Sequence, residues 1–295
     1  MSWIQLRLSA NRESASALED ALMEIGAAAV TMEDGADQPV FEPGVGERPV
    51  WDSTRVTGLF SADADTDALL VALAASYTAP LPPLKVEILE DRDWIREWMD
   101  SYQPIQCGER LWICPSWREP TDANAVNLML DPGLAFGTGT HPTTFLCLQW
   151  LDQQDLTGKT VIDYGCGSGI LGIAALLLGA EKMIAVDNDP QALIATRDNA
   201  QRNNIAPERV ECFLPTQIPE NLSGDAVVAN ILAGPLLELA PQLAGYLAPA
   251  TPICLSGILH TQGDLLSERY SEWFTDIDRA QREEWLRITG QRKAG

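Results

Sequence analysis

Histidine is nearly absent from this chain, with two residues in 295, and neither sits in a cluster with cysteine. The six cysteines, Cys107, Cys114, Cys147, Cys166, Cys212 and Cys254, are scattered without a C-x-x-C pair. No metal site of ordinary zinc spacing is therefore expected. In a chain this long a disulfide framework is not expected either, so the cysteines read as reduced thiols. No run of about 18 apolar residues occurs, which argues against a membrane span. The first residues, Met1 to Arg7, lack the apolar stretch and small-residue cleavage site of a signal peptide. A cytoplasmic monomer is the expectation. Bases are scarce too: 20 Lys and Arg stand against 42 acids, for a net charge of −22. That disfavours phosphate-backbone binding, so no direct nucleic-acid contact is expected. It suits either a basic partner or simple solubility. Residues 1–90 carry 15 acids and 5 bases, making this third the more acidic per residue.

What is there suffices for a folded core, with 46% hydrophobic residues. Residues 3–8 alternate apolar and polar and read as a strand. A helix over 14–25 follows, with Ser14 or Ser16 as cap and Gly26 as terminator. Strands are expected at 28–32, 54–60 and 85–89, a helix at 66–75, and a Gly/Pro/acid-rich loop at 33–53. The order βαββαβ predicts a small α+β, ferredoxin-like N-terminal domain over 1–90. The segment 91–103 is amphipathic around Trp94, Ile95, Trp98 and Met99, and reads as a linker helix.

Residues 104–295 form the expected catalytic domain. Short strands at 111–114 and 126–130 precede a change of rhythm at Pro142, which suits the first position of a helix over 142–152. Strands at 160–163, 182–187, 210–213, 225–229, 253–256 and 284–289 then alternate with helices at 170–178, 190–203, 236–247, interrupted near Pro241, and 262–270. This predicts an α/β domain with an open, mainly parallel sheet covered on both faces.

The central motif is Asp163-Tyr164-Gly165-Cys166-Gly167-Ser168-Gly169, between a strand and an apolar helix. Its glycines allow a tight turn and close backbone approach to a ligand. Gly167, Gly169 and Gly172 also satisfy G-x-G-x-x-G, so a dinucleotide is a rival ligand. Asp163, two residues before Gly165, weighs against it. A carboxylate repels a pyrophosphate but suits the cationic amino-acid end of S-adenosylmethionine. Asp187 ends the next strand, 18 residues after Gly169, where an acid can accept from both ribose hydroxyls of either ligand. A plain strand–helix turn and a helix cap are the alternatives for these two features, although Asp189 before Pro190 is the better cap. Asn230 ends a later strand, where its carbonyl groups can take a hydrogen bond from an amine; a turn-forming Asn is the alternative. In the loop Phe136-Gly137-Thr138-Gly139-Thr140-His141, glycines permit packing over a ligand, and Thr144 just beyond can offer its hydroxyl. Capping by Thr140 or Thr143 explains only one of the hydroxyls. His141 adjoins the site and reads as structural or substrate-shaping. Thr157-Gly158-Lys159-Thr160 ends like a P-loop, but the motif's first glycine would fall at Gln153.

The catalytic half resembles the class I, Rossmann-like methyltransferases. The whole chain resembles the family of bacterial ribosomal protein L-eleven methyltransferases. The most specific stretches are Trp94-Ile95-Arg96-Glu97-Trp98-Met99, the run from Leu130 to Thr144, and Val228-Ala229-Asn230-Ile231-Leu232-Ala233-Gly234-Pro235. The resemblance implies a substrate-recognition domain joined by a linker helix to the catalytic domain. It implies S-adenosylmethionine-dependent N-methylation of the α-amine and lysine ε-amines of a basic ribosomal protein, up to trimethylation. Thr144, Gly165, Asp187 and Asn230 fall on the family's cofactor positions; Asp163, Gly167 and Phe136 join them on the reading of the motifs themselves. No essential catalytic residue is expected, with Asn230 and His141 as orienting candidates. Many amine and amide methyltransferases carry Asn-Pro-Pro-Tyr after this strand, whereas Ile231, Leu232 and Ala233 follow Asn230 here. Without an aromatic to brace a planar amide or base, an aliphatic amine fits better. An NAD-dependent oxidoreductase, a nucleic-acid methyltransferase and a non-catalytic ribosome-associated adaptor remain as rivals.

Overall fold

The computed structural model describes residues 3–36, 38, 51–89, 102–131, 139 and 141–294. The expected linker helix over 91–103 lies almost wholly outside them, as does Phe136. The chain divides into two compact units, Met1–Trp98 and Met99–Gly295.

In the first unit, β1 (Trp3–Ala10), α1 (Ala15–Glu24), β2 (Ala29–Asp34), β3 (Thr54–Ser61), α2 (Thr66–Ser76) and β4 (Leu84–Leu89) form a sheet in the order β2-β3-β1-β4. The β1–β3, β1–β4 and β2–β3 pairings are all antiparallel, the ferredoxin-like arrangement. The alternation in β1 buries Ile4, Leu6 and Leu8 against Leu18 and Leu22 of α1 and Leu73 of α2. Asp65 caps α2 by accepting from the Asp67 and Ala68 amides. Ser14 occupies the cap position of α1 without capping it through its side chain; it exchanges hydrogen bonds with Asn11 instead.

The second unit opens with a small sheet of β5 (Ile105–Gln106), β6 (Leu111–Cys114) and β7 (Val126–Met129). Helix α3 (Pro142–Asp152) follows, then β8 (Thr160–Tyr164), α4 (Ile170–Leu177), β9 (Lys182–Val186), α5 (Pro190–Arg202), β10 (Val210–Phe213), β11 (Ala226–Asn230), α6 (Ala233–Gly245), β12 (Pro252–Leu259), α7 (Gly263–Tyr270), β13 (Phe274–Arg282) and β14 (Trp285–Arg292). Seven strands make one sheet in the order β10-β9-β8-β11-β12-β14-β13. The first five are parallel, and β14 and β13 close one edge antiparallel.

Both faces of this sheet are covered, so its inner strands read as unbroken apolar runs. Val161, Met183, Val228 and Cys254 face α3, α4 and α5. Their neighbours Ile162, Ile184, Val227 and Ile253 face α6 and α7. The period of two thus sorts one strand's residues into two cores. Among the described residues no helix is long and apolar enough to cross a membrane.

Two strands were not expected from the sequence. β5 is only two residues long. β13 hides its period because a bulge at Asp276, with φ of 53°, breaks the alternation between Thr275 and Asp278. As an edge strand it keeps only Phe274 fully inside. Helix α6 begins three residues before the expected start and, instead of being interrupted near Pro241, runs through it unbroken.

Candidate functional site

The order of the five parallel strands reverses between β8 and β11. The crevice beyond their carboxyl ends is where open α/β sheets bind ligands. One wall is the turn from Gly165 to Gly169, which leads β8 into α4. Gly165, Gly167 and Gly169 have φ of 74°, 52° and 78°, in the left-handed region that penalises a side chain. A Cβ on Gly165 would also stand 2.2 Å from Cγ2 of Ile231, just past the end of β11. The two sides of the switch point therefore meet because Gly165 has no side chain.

This approach predicts a measurable coupling. Gly165→Ala should destabilise by about 2–4 kcal/mol, combining a left-handed backbone with a clash. In an Ile231→Ala background only the backbone part, about 1–2 kcal/mol, should remain. Urea unfolding of the double-mutant cycle measures it, and equal costs in both backgrounds would show that the approach is not close.

The turn spends its backbone donors within the protein. The amides of Gly165 and Cys166 both donate to the Val186 carbonyl, at 2.7 and 3.1 Å. Gly167 donates to Oδ2 of Asp187 at 2.9 Å. Gly169 donates to the Cys166 carbonyl at 2.8 Å. Helix α5 braces the turn from behind: Thr196 donates to the Gly167 carbonyl at 3.2 Å, and Asn199 to the Ser168 carbonyl at 2.8 Å. These two braces were missed in the sequence. Their signal was there, since two polar residues three apart stand on the buried side of an amphipathic helix.

Asp163 lies beneath the turn, fully buried. Its Oδ2 accepts the Gly172 amide at 2.8 Å, while Oδ1 is buried without a hydrogen-bond partner. Burial, more than the nearby Asp187 charge, pushes its pKa up to about 7, against the pull of the Gly172 amide. The carboxyl expected to lie open beside a cationic ligand is instead packed under the backbone that forms the cradle. Gly172 makes this possible, because a Cβ there would meet Met183 Cε at 2.4 Å and Asp163 Cβ at 3.3 Å.

Asp187 is half-buried just past β9. Besides Gly167 it accepts the Asp189 amide at 3.0 Å through Oδ1. Asp189, not Asp187, caps α5 through the Gln191 amide at 2.8 Å. On the far wall, Asn230 donates through Nδ2 to Oγ1 of Thr144 at 3.2 Å. The fold thus brings together two candidate residues 86 positions apart, and Thr144 is wholly buried at the contact.

His141 is the cap of α3, in the place expected of Thr140 or Thr143. Its Nδ1 accepts the Thr143 amide at 3.4 Å and lies 2.7 Å from Thr143 Oγ1. Accepting at Nδ1 leaves the proton of the neutral ring on Nε2. Burial draws its pKa below the ordinary histidine value, opposed by the Glu283 charge. The ring also meets Trp285 edge to face, with centroids 4.9 Å apart.

A sequence model of the family described as "Ribosomal protein L11 methyltransferase (PrmA)" matches residues 2–293. A ribosomal protein L11 methyltransferase of Cellvibrio japonicus is 55% identical over 289 residues, 98% of each chain. One from Teredinibacter turnerae is 56% identical over 295 residues, covering all of this chain and 98% of the relative. Among solved structures, a ribosomal protein L11 methylase of Lactobacillus delbrueckii subsp. bulgaricus superposes with a TM-score of 0.59 at 32% identity, over 65% of this chain and 100% of that one. The crevice at the switch point thus stands in a chain that belongs to the ribosomal protein L11 methyltransferase family.

Proposed function

We propose that this chain transfers methyl groups from S-adenosylmethionine to amines of ribosomal protein L11, in the crevice between the Gly165–Gly169 turn and Asn230. The observation that carries the reading is the state of that turn. Four of its amides are already donated within the protein, and the Asp187 carboxylate lies beside it. A pyrophosphate needs free amides at such a turn. A nucleoside with a cationic tail does not, so the arrangement favours the sulfonium cofactor over NAD. Asp187 accepts two amides, which leaves acceptor sites on its carboxylate for ribose hydroxyls. Asn230 donates to Thr144 through its amide nitrogen, which leaves its side-chain oxygen to accept. Titration calorimetry with both cofactors tests the choice: binding of S-adenosylmethionine and none of NAD is expected, and the reverse would point to the oxidoreductase.

The bound cofactor supplies an already activated methyl group. What the chain's residues do is hold and orient. The incoming amine must be neutral, and a lysine ε-amine has an ordinary pKa of about 10.4 against about 7.7–8.0 for an α-amine. Withdrawal from water lowers that value. The carbonyl groups of Asn230 and Ile231 accept the amine's hydrogens and aim its lone pair, so most of the acceleration comes from positioning. His141 is engaged as a helix cap, and no general base is required of it. His141→Ala should slow turnover without abolishing it. Complete loss in a folded protein that still binds cofactor would refute the base-free account.

The acidic first unit is the proposed receiving surface for the basic substrate, and the protein is proposed to act as a cytoplasmic monomer. Salt screens such attraction. KM for L11 should therefore rise with ionic strength while cofactor affinity barely moves. A salt-independent KM would remove electrostatic recruitment.

A further inference from the structure

The Thr144–Asn230 hydrogen bond joins a helix to a strand, and both are tied to the same third element. β13 and β14 pair as a hairpin through the two-residue turn Glu283–Glu284. From its open-sheet edge this hairpin reaches the first turns of α3 three times. The Trp285 ring stands edge to face on His141, with centroids 4.9 Å apart and planes at 67°. The guanidinium of Arg282 lies 3.8 Å over the Phe145 ring. The buried Arg287 donates to the Leu146 carbonyl at 3.4 Å and pairs with Asp278 at 3.7 Å.

The other partner of the bond is reached through the sheet. Asn230 is in register with Ser256 of β12, and the Ser256 hydroxyl donates to the Leu286 carbonyl of β14 at 2.8 Å. A closed path results. It runs from Thr144 along α3 to His141, across to Trp285, along β14 to Leu286, through Ser256 to Asn230, and back over the 3.2 Å bond. Close packing transmits displacement along such a path, because interiors compress little. Aromatic edge contacts and a cation over a ring each fix an orientation as well as a distance.

We propose that the β13–β14 hairpin is a clamp that sets the spacing of Thr144 and Asn230, with Trp285 as the positioning residue nearest the site and Arg282 as its support. The role in turnover rests on the reading above, in which that pair borders the cofactor and the amine. Trp285 packs on His141, and Arg282 lies over Phe145. They act through His141 and Phe145, so their loss shifts the helix that carries Thr144 and leaves the substrate-receiving surface intact.

The test uses the full chain and three variants, Trp285→Ala, Trp285→Phe and Arg282→Ala. Amide hydrogen exchange over residues 143–148 reads the clamp without reference to activity. Initial rates with L11 and S-adenosylmethionine read its consequence. In Trp285→Ala, exchange over 143–148 should speed up, and kcat should fall roughly 10- to 100-fold, as misplacement by a fraction of an ångström to an ångström does. KM for L11 should stay near its original value. Trp285→Phe keeps an aromatic edge on His141 and should restore most of both. Arg282 is exposed, so Arg282→Ala should fold even if Trp285→Ala does not, and should show the same changes in smaller degree. A purely structural hairpin would lower the melting temperature of the variants without this split between kcat and KM. Unchanged exchange in the variants that fold overturns the clamp. Faster exchange with unaltered kcat overturns the place of Thr144 and Asn230 in the site, and with it the positioning role.

Discussion

Asp187→Ala should weaken S-adenosylmethionine binding by about 30- to 150-fold, the equivalent of the 2–3 kcal/mol that a charged hydrogen bond contributes. The carboxylate is held in place before any ligand arrives. Its Oδ2 is fixed by the Gly167 amide and its Oδ1 by the Asp189 amide. A pre-oriented acceptor loses little entropy on binding, which is why the full effect is expected. Asp187→Asn keeps one acceptor oxygen and loses the charge, so it should fall between. A cofactor analogue without the ribose hydroxyls separates a direct contact from a disturbed turn. It should bind the original protein poorly and lose nothing further from the Asp187→Ala change. Calorimetry showing unaltered affinity in Asp187→Ala would remove Asp187 from the site.

A second large effect is expected in the pH dependence of stability. Asp163 titrates near 7 in the folded protein, raised from 3.8 chiefly by burial. Between those values the folded state holds a proton that the unfolded chain has released. Stability is therefore complete with respect to this group below about pH 4, and is lost progressively as pH rises through about 7. At about 1.4 kcal/mol for each pKa unit, the loss is on the order of a few kcal/mol. His141 works in the opposite sense. Its folded pKa is depressed, so its contribution is present above the ordinary histidine value and fades as pH falls below it. Asp163→Asn removes the first slope and leaves the second. The difference in unfolding free energy between original and variant, measured in urea at about pH 5 and about pH 8, isolates the aspartate. Parallel pH profiles would mean that its carboxyl is not carried into the core as described.

The helices and inner strands of the second unit were legible because burial on both faces makes their apolar runs long, and because Pro142, Pro190 and the glycine turn mark boundaries. β13 was not, since its bulge at Asp276 erases the alternation and its edge position demands few apolar residues. The glycine turn and Asp187 were legible as a nucleoside motif. The fate of Asp163 was not: whether a carboxylate at a strand end faces a ligand or the helix behind it depends on the space that Gly172 leaves. His141 as a cap and Trp285 as its neighbour also escaped, because a contact between residues 144 positions apart leaves no local pattern.

Those distant contacts matter for how the first unit and the site divide the work. The acids of residues 1–90 belong to a different compact unit from the crevice residues, and the proposal gives the first unit the attraction of a basic protein and the crevice the holding of the cofactor. Beneath the turn, burial holds the Asp163 carboxyl well above the ordinary carboxylate range. On the proposed reading, attraction and chemistry fall to different residues, and substitutions in one should leave the other's binding constant in place.

Mass spectrometry of ribosomal protein L11 after incubation with this chain and S-adenosylmethionine measures the central claim itself. Mass increments of successive methyl groups on the α-amine and on lysines, absent without the cofactor and strongly reduced with Asp187→Ala, are the expected result. An L11 of unchanged mass, in the presence of folded chain and cofactor, would contradict it.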